Sequence, residues 1–153
     1  LPSYPNLIII RTFSKALGMP SLRLGYVIAR PDFIKHLQKI RGPYDVNVVA
    51  VFAAREQLKH PEHWQMIVKH LLEESKPALE KYFDQHQVKY YSNNTNFMLV
   101  EPQDPVAACK YLKENKILVR PMGPPISHTF RMSFRMMPEM QRFMEVYSRF
   151  LDT

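Results

Sequence analysis

Residues Ile8–Tyr26 read IIIRTFSKALGMPSLRLGY, and the reading of that stretch decides the fold. Its opening, Leu7-Ile8-Ile9-Ile10, is continuously apolar. That is the pattern of a strand covered on both faces, and a buried strand is expected over 7–13. The run then breaks into Thr12, Ser14 and Lys15, passes Gly18 and reaches Arg23. It turns apolar again at Leu24-Gly25-Tyr26-Val27-Ile28-Ala29, a second expected strand.

The polar residues between the strands form a set. Two hydroxyls can donate hydrogen bonds to phosphate oxygens, and a guanidinium such as Arg23 holds a phosphate through two parallel bonds. A lysine at the end of a buried strand is costly unless paired or used. Burial and neighbouring cations lower a lysine pKa, and an unprotonated amine condenses with an aldehyde. Pyridoxal 5′-phosphate carries an aldehyde and a phosphate in one molecule, and Thr12, Ser14, Lys15 and Arg23 are what it asks for. The competing reading is a strand that emerges into solvent at Thr12 with a surface Lys and Arg. The order and spacing of the set between two strands favour the cofactor.

Working outward, Pro31 and Asp32 open a helix with Phe33, Ile34, Leu37 and Ile40 at helical spacing, stopped by Gly42-Pro43. A second helix is expected over 46–60, with Pro61 ending it. A third runs from Glu62 to about Gln85, with Trp64, Ile67, Val68, Leu71, Leu72, Leu79 and Phe83 on one side and a bend at Pro77. Short strands follow at Val88–Tyr91 and Asn96–Val100, separated by Ser92-Asn93-Asn94. Asp104 caps a helix beginning at Pro105 and running to Asn115. Ile117–Arg120 and Thr129–Phe134 read as strands. A last helix from Pro138 buries Met140, Phe143, Met144, Tyr147 and Leu151.

The bulk numbers bound the function. At 153 residues and 46% hydrophobic content, a packed core is expected. One cysteine, Cys109, excludes an internal disulfide framework and fits a reducing compartment. No segment approaches the roughly 20 apolar residues of a membrane span, and no signal peptide is evident. The formal charge of +7 invites nucleic acid. The cations are dispersed and many lie beside Glu, as in Glu73-Glu74-Ser75-Lys76, so a solvated face is the better account. His60, His63 and His70 lack acidic or Cys partners at metal spacing, and no metal site is expected. Cys109 reads as a small core residue and the methionines as packing.

The segment RTFSKALGMPSLRLGYVIA (11–29) resembles the lysine segment of the class I/II, fold type I, pyridoxal-phosphate-dependent aminotransferases, closest to the histidinol-phosphate aminotransferase branch. In that resemblance Lys15 is the lysine joined to the cofactor, and Thr12, Ser14 and Arg23 bind its phosphate. PYDVNVVA (43–50) resembles the entry to the long interdomain helix, and SNNTNFMLVE (92–101) the first strands of the small domain. ILVRPM and TFRMSF resemble its last strands, with Arg131 at the place of the substrate-carboxylate arginine; Asn96 either faces the cleft as a substrate contact or completes the turn begun at Asn93-Asn94. Met19-Pro20-Ser21 and Arg135-Met136-Met137 depart from the family pattern, near the substrate.

The resemblance implies an α/β fold. Residues 1–60 would be the C-terminal remnant of the large cofactor domain, 61–85 an interdomain helix, and 86–153 a small α/β domain. It implies amino-group transfer between an amino acid, or an amino-alcohol phosphate, and a 2-oxo acid, in a cytoplasmic homodimer. The family's ring-stacking aromatic and its ring-nitrogen Asp lie upstream of the lysine segment. The 153 residues are therefore expected to be the C-terminal portion of a longer protein, inactive alone. A decarboxylase of the same fold, or a non-catalytic fragment serving as a binding module, are the alternatives.

Overall fold

The computed structural model describes residues 3–153. The chain forms two compact units, one ending at Met66 and the other spanning Ile67–Thr153.

In the first unit, β1 (Ile9–Thr12) pairs antiparallel with β2 (Gly25–Ile28), in a register that sets Ile9 against Ile28 and Thr12 against Gly25. Both expected strands are present, but not the burial expected of the first. Ile10 is 75% exposed and Tyr26 46%. An apolar strand is buried only by what packs on it, and in this two-stranded sheet each strand has a single sheet neighbour. Helix α1 (Pro31–Ile40) starts at the proline, whose fixed φ and missing N–H suit a first turn. Helix α2 (Val48–Lys59) is capped by Asn47, whose Oδ1 accepts from the Val49 N–H at 2.8 Å. Phe13, Met19 and Ala54 form the buried cluster, with Leu17, Leu22, Leu24 and Ala53 packed around it.

The expected helix over 62–85 is a continuous run with an internal change of pitch. Helix α3 (Pro61–His70) leads into a π-helical turn at Leu71–Ser75, and α4 (Lys76–Gln85) follows. The bend expected at Pro77 is expressed as this wider turn, in which the Lys76 N–H donates to the Leu71 carbonyl. Pro77 has no N–H to continue the ladder and its ring crowds the preceding turn, and a wider turn relieves both conflicts.

The second unit is a four-stranded antiparallel sheet of order β3-β4-β6-β5, formed by β3 (Lys89–Ser92), β4 (Phe97–Glu101), β5 (Arg120–Pro121) and β6 (Phe130–Ser133). Helices α4, α5 (Pro105–Glu114) and α6 (Met137–Leu151) supply the other side of its core. Alternation along β4 and β6 buries Met98, Val100, Phe130 and Met132 against Leu79, Phe83, Leu112, Phe143 and Tyr147. Asp104 caps α5 by accepting from Val106 and Ala107, as its position before Pro105 requires.

Two expectations need correction here. The strand expected over Ile117–Arg120 shrinks to Arg120–Pro121, and residues 117–119 leave the edge of β6 unpaired. On α6, Val146 is buried where Leu151 was expected; Leu151 lies at the helix end, 37% exposed. Met144 is only partly buried, packed against the core.

Candidate functional site

The loop between β1 and β2 is built around two apolar feet. Phe13 and Met19 are both buried, and the Met19 N–H donates to the Phe13 carbonyl at 3.0 Å, closing the loop's base. The Phe13 N–H donates to Leu24 O, and the Phe13 ring meets Tyr26 edge-on at 5.8 Å. Met19, one of the departures from the family pattern, is therefore a packing residue. With the feet fixed, the residues between them are raised. Lys15 is exposed at the start of a turn closed by the Gly18 N–H on the Lys15 carbonyl at 2.9 Å. Gly18 has φ +68°, where L side chains are strained and glycine is not.

The structure brings Thr12 and Ser14 together. The Ser14 N–H donates to Thr12 Oγ1 at 3.1 Å, a local turn that fixes the threonine hydroxyl at the strand end. Arg23 takes φ 54°, unusual for a residue with a Cβ, and its Nη1 donates to Pro20 O at 2.8 Å. That bond folds the guanidinium over the short 3₁₀ turn Pro20–Leu22, and among the described residues the other N–H groups of the fork are unengaged. The loop closes at Gly25, where a Cβ would lie 2.7 Å from the Arg11 carbonyl oxygen. The two strands approach too closely there for any side chain.

Arg131 and Asn96 lie in the second unit. Arg131, on β6, is half-buried on the sheet face away from the core, its guanidinium carbon 5.2 Å from the centre of the Phe97 ring. The stacking holds the fork without using its N–H groups, and Arg131 has no carboxylate partner among the described residues. Asn96 is half-buried at the start of β4, where its carbonyl accepts from the Phe134 N–H at 2.9 Å. The turn before it is made by Asn93, which accepts from the Thr95 N–H.

The reading from sequence missed Arg120. It stands directly opposite Arg131 across β5 and β6. Like charges facing one another across strands are unfavourable without a shared counter-ion. The signal was a lone arginine in the apolar run ILVRP; only the register reveals its partner.

The histidines divide. His60 and His63 are exposed and stacked, with Glu62 beside them. His70 corrects the expectation of a solvated face. Its ring is mostly buried, with Nδ1 3.0 Å from Glu74 and Nε2 accepting from the Met137 N–H at the start of α6. Among the described residues no cluster of His, Cys, Asp or Glu could hold a metal, and no helix is long and apolar enough to cross a membrane.

A family model, aminotransferase class I and II, matches residues 1–146. The chain belongs to that family. It is 32% identical over 159 aligned residues to histidinol-phosphate aminotransferase 2 of Hydrogenovibrio crunogenus, covering all of this chain and 42% of the relative. Among solved structures it superposes on L-threonine-O-3-phosphate decarboxylase from Porphyromonas gingivalis with TM-score 0.81 and 26% identity, over 97% of this chain and 48% of the other. The histidinol-phosphate aminotransferase of Sinorhizobium meliloti, solved in complex with pyridoxal 5′-phosphate, gives TM-score 0.69 and 22% identity, over 97% of this chain and 42% of that one. The chain thus spans less than half the length of the relatives it matches, and its mixed α/β units are a part of the fold type I architecture.

Proposed function

We propose that this chain supplies the lysine-bearing portion of a pyridoxal-phosphate-dependent aminotransferase. The observation that carries the reading is the 13–24 loop, which holds Lys15 exposed between a threonine–serine turn and an arginine with free donors. The donor set fits the group. Thr12, Ser14 and Arg23 offer hydroxyl and guanidinium donors to a phosphate, and Lys15 offers an amine to an aldehyde. When bound, the cofactor supplies an electron sink for the substrate's α-carbon.

The protein's own residues would do the rest. Arg131 orients the substrate by a fork on its carboxylate, or on the phosphate of an amino-alcohol phosphate. Lys15 Nζ would take the proton from the α-carbon of the amino donor, as base, and hold it for return as acid. A 2-oxo acid accepts the amino group in the second half of the cycle.

Residues 1–60 would then belong to a large cofactor domain, 61–85 to an interdomain helix and 86–153 to a small domain, in a cytoplasmic homodimer. We propose further that the 153 residues alone do not turn over.

Borohydride, which fixes a lysine-joined cofactor as a stable secondary amine, tests the assignment in the protein that carries this chain. Peptide mapping should find the label on Lys15, and a label on another lysine would refute it. Arg131→Ala should raise KM for the amino donor, a loss of about 2–5 kcal/mol, with cofactor absorbance unchanged. An unchanged KM would make Arg131 structural. The decarboxylase reading is kept alive by the likeness to L-threonine-O-3-phosphate decarboxylase. Release of carbon dioxide in place of a 2-oxo acid would decide for it.

A further inference from the structure

Helix α6 starts without a cap of its own. The residue at its N-terminal boundary, Met136, makes no side-chain hydrogen bond to the first turn. Arg135-Met136-Met137 is also one of the departures from the family pattern. A helix start leaves its first N–H groups in need of partners. Here Pro138 has no N–H to satisfy, and Glu139 and Met140 both donate to the Met136 carbonyl, at 3.0 and 3.2 Å. The Met137 N–H is left. It donates to Nε2 of His70, 3.3 Å away and 67 residues earlier in the chain.

His70 therefore does for α6 what a Ser, Thr, Asp or Asn does for other helices. The difference is that an imidazole titrates. Only an unprotonated Nε2 accepts a hydrogen bond. A proton there sets a donor against a donor and puts positive charge at the positive end of the α6 dipole. On its other side the ring meets the Glu74 carboxylate, 3.0 Å from Nδ1, which favours the charged ring. The charged residues beside them along the two elements pair with one another. Lys69 lies 3.9 Å from Glu73 on the helical run, and Arg135 lies 3.1 Å from Glu139 at the start of α6.

We infer that His70 is a proton-sensitive cap on α6. With Nε2 unprotonated, the ring holds the Met137 N–H and the first turn of α6 is closed. With Nε2 protonated, the ring stays with Glu74 and releases that N–H, and the first turn frays. The cap is therefore present at high pH. It is lost as pH falls through the range, roughly pH 8 to 5, in which imidazoles gain charge. The device does not depend on the roles proposed for Lys15 and Arg131.

Amide exchange of the 153-residue chain, followed by NMR from about pH 8 to about pH 5 and corrected for intrinsic rates, tests it. Protection at Met137, Glu139 and Met140 should fall about 2- to 30-fold over that range, the worth of one helix cap. Ala108 and Leu112 in α5 should hold theirs. His70→Gln offers Met137 an amide oxygen that accepts at every pH, so protection there should lose its pH dependence. His70→Ala should be as open at the upper pH as the wild type is at the lower one. Circular dichroism checks that each variant is folded. Protection that does not change with pH in the wild type would overturn the inference. So would a pH dependence that persists in His70→Gln, because another group would then be titrating. Wild-type protection retained in His70→Ala at the upper pH would overturn it as well, since the ring would cap nothing.

Discussion

Gly25→Ala adds one methyl group at the tightest point of the first unit. A Cβ at this position sits 2.7 Å from the Arg11 carbonyl oxygen, about 0.7 Å short of ordinary contact at 3.4 Å. The obstacle is backbone, which cannot swing aside as a long side chain can. Gly25 is also the register partner of Thr12, so the strands must separate where the threonine hydroxyl is set. Overpacking of this kind costs roughly 1–3 kcal/mol. A separation of some tenths of an ångström also weakens the Phe13 N–H bond to Leu24 O and loosens the base of the lysine loop. Two assays follow. Amide exchange should speed up at Phe13 and along β1 and β2 by about 5- to 160-fold, the equivalent of 1–3 kcal/mol, while amides of the second unit keep their rates. In the protein that carries this chain, cofactor affinity should fall while Lys15 remains the labelled lysine. Unchanged exchange at Phe13 would mean that the strands are free to part at no cost, and the argument from close approach would fail.

Other expectations concern the second unit. The Tyr147 hydroxyl is fully buried and has no hydrogen-bond partner among the described residues, so Tyr147→Phe should stabilise by about 1–2 kcal/mol, read as a higher urea midpoint in amide exchange of α6; destabilisation would reveal a partner. The Tyr91 hydroxyl, then Lys89, hold the Glu101 carboxyl below its usual pKa, with His128 3.8 Å from it. A depressed carboxylate pKa gives stability that is present above the unfolded value and lost as pH falls through the folded one. The difference in urea midpoint between wild type and Glu101→Gln should therefore be largest near neutrality and shrink below the ordinary value of 4.5; a gap that widens in acid would reverse the sign. Burial pushes the Cys109 thiol up from its ordinary value of 9.0, so modification at pH 8 should be much slower than for free cysteine. Reaction at the free-thiol rate would place the sulfur in solvent.

The parts legible in sequence were those decided locally. Asp104 before Pro105 and Pro31 after an extended arginine each set a helix start from neighbouring atoms alone. The lysine loop was legible for the same reason, since Thr12 to Arg23 closes on itself through short-range bonds. What failed depended on distant partners. The apolar run at Ile8–Ile10 announces burial, yet the covering surface is not encoded in the run. Ile117–Val119 has strand composition, but pairing with β6 is a property of both segments, and only Arg120 and Pro121 achieve it. The opposition of Arg120 and Arg131 is a matter of register, which no spacing along the chain could announce. His70 reads as one of three similar histidines until α6 folds back against it.

The order of the second sheet, β3-β4-β6-β5, has a consequence for how the chain is made. One of its two central strands, β6, is the last to be synthesised. A ribosome delivers β3 and β4 as a hairpin, then α5 and β5, and roughly 30 residues separate the end of β4 from the end of β6. At synthesis rates of about 5–20 residues per second that interval lasts about 2–6 s. Throughout it β4 presents an open hydrogen-bonding edge, and Met98 and Val100 await Phe130 and Met132. The nascent chain must survive those seconds with its sheet unzipped, so a holding chaperone would act on β4, before Phe130 leaves the exit tunnel.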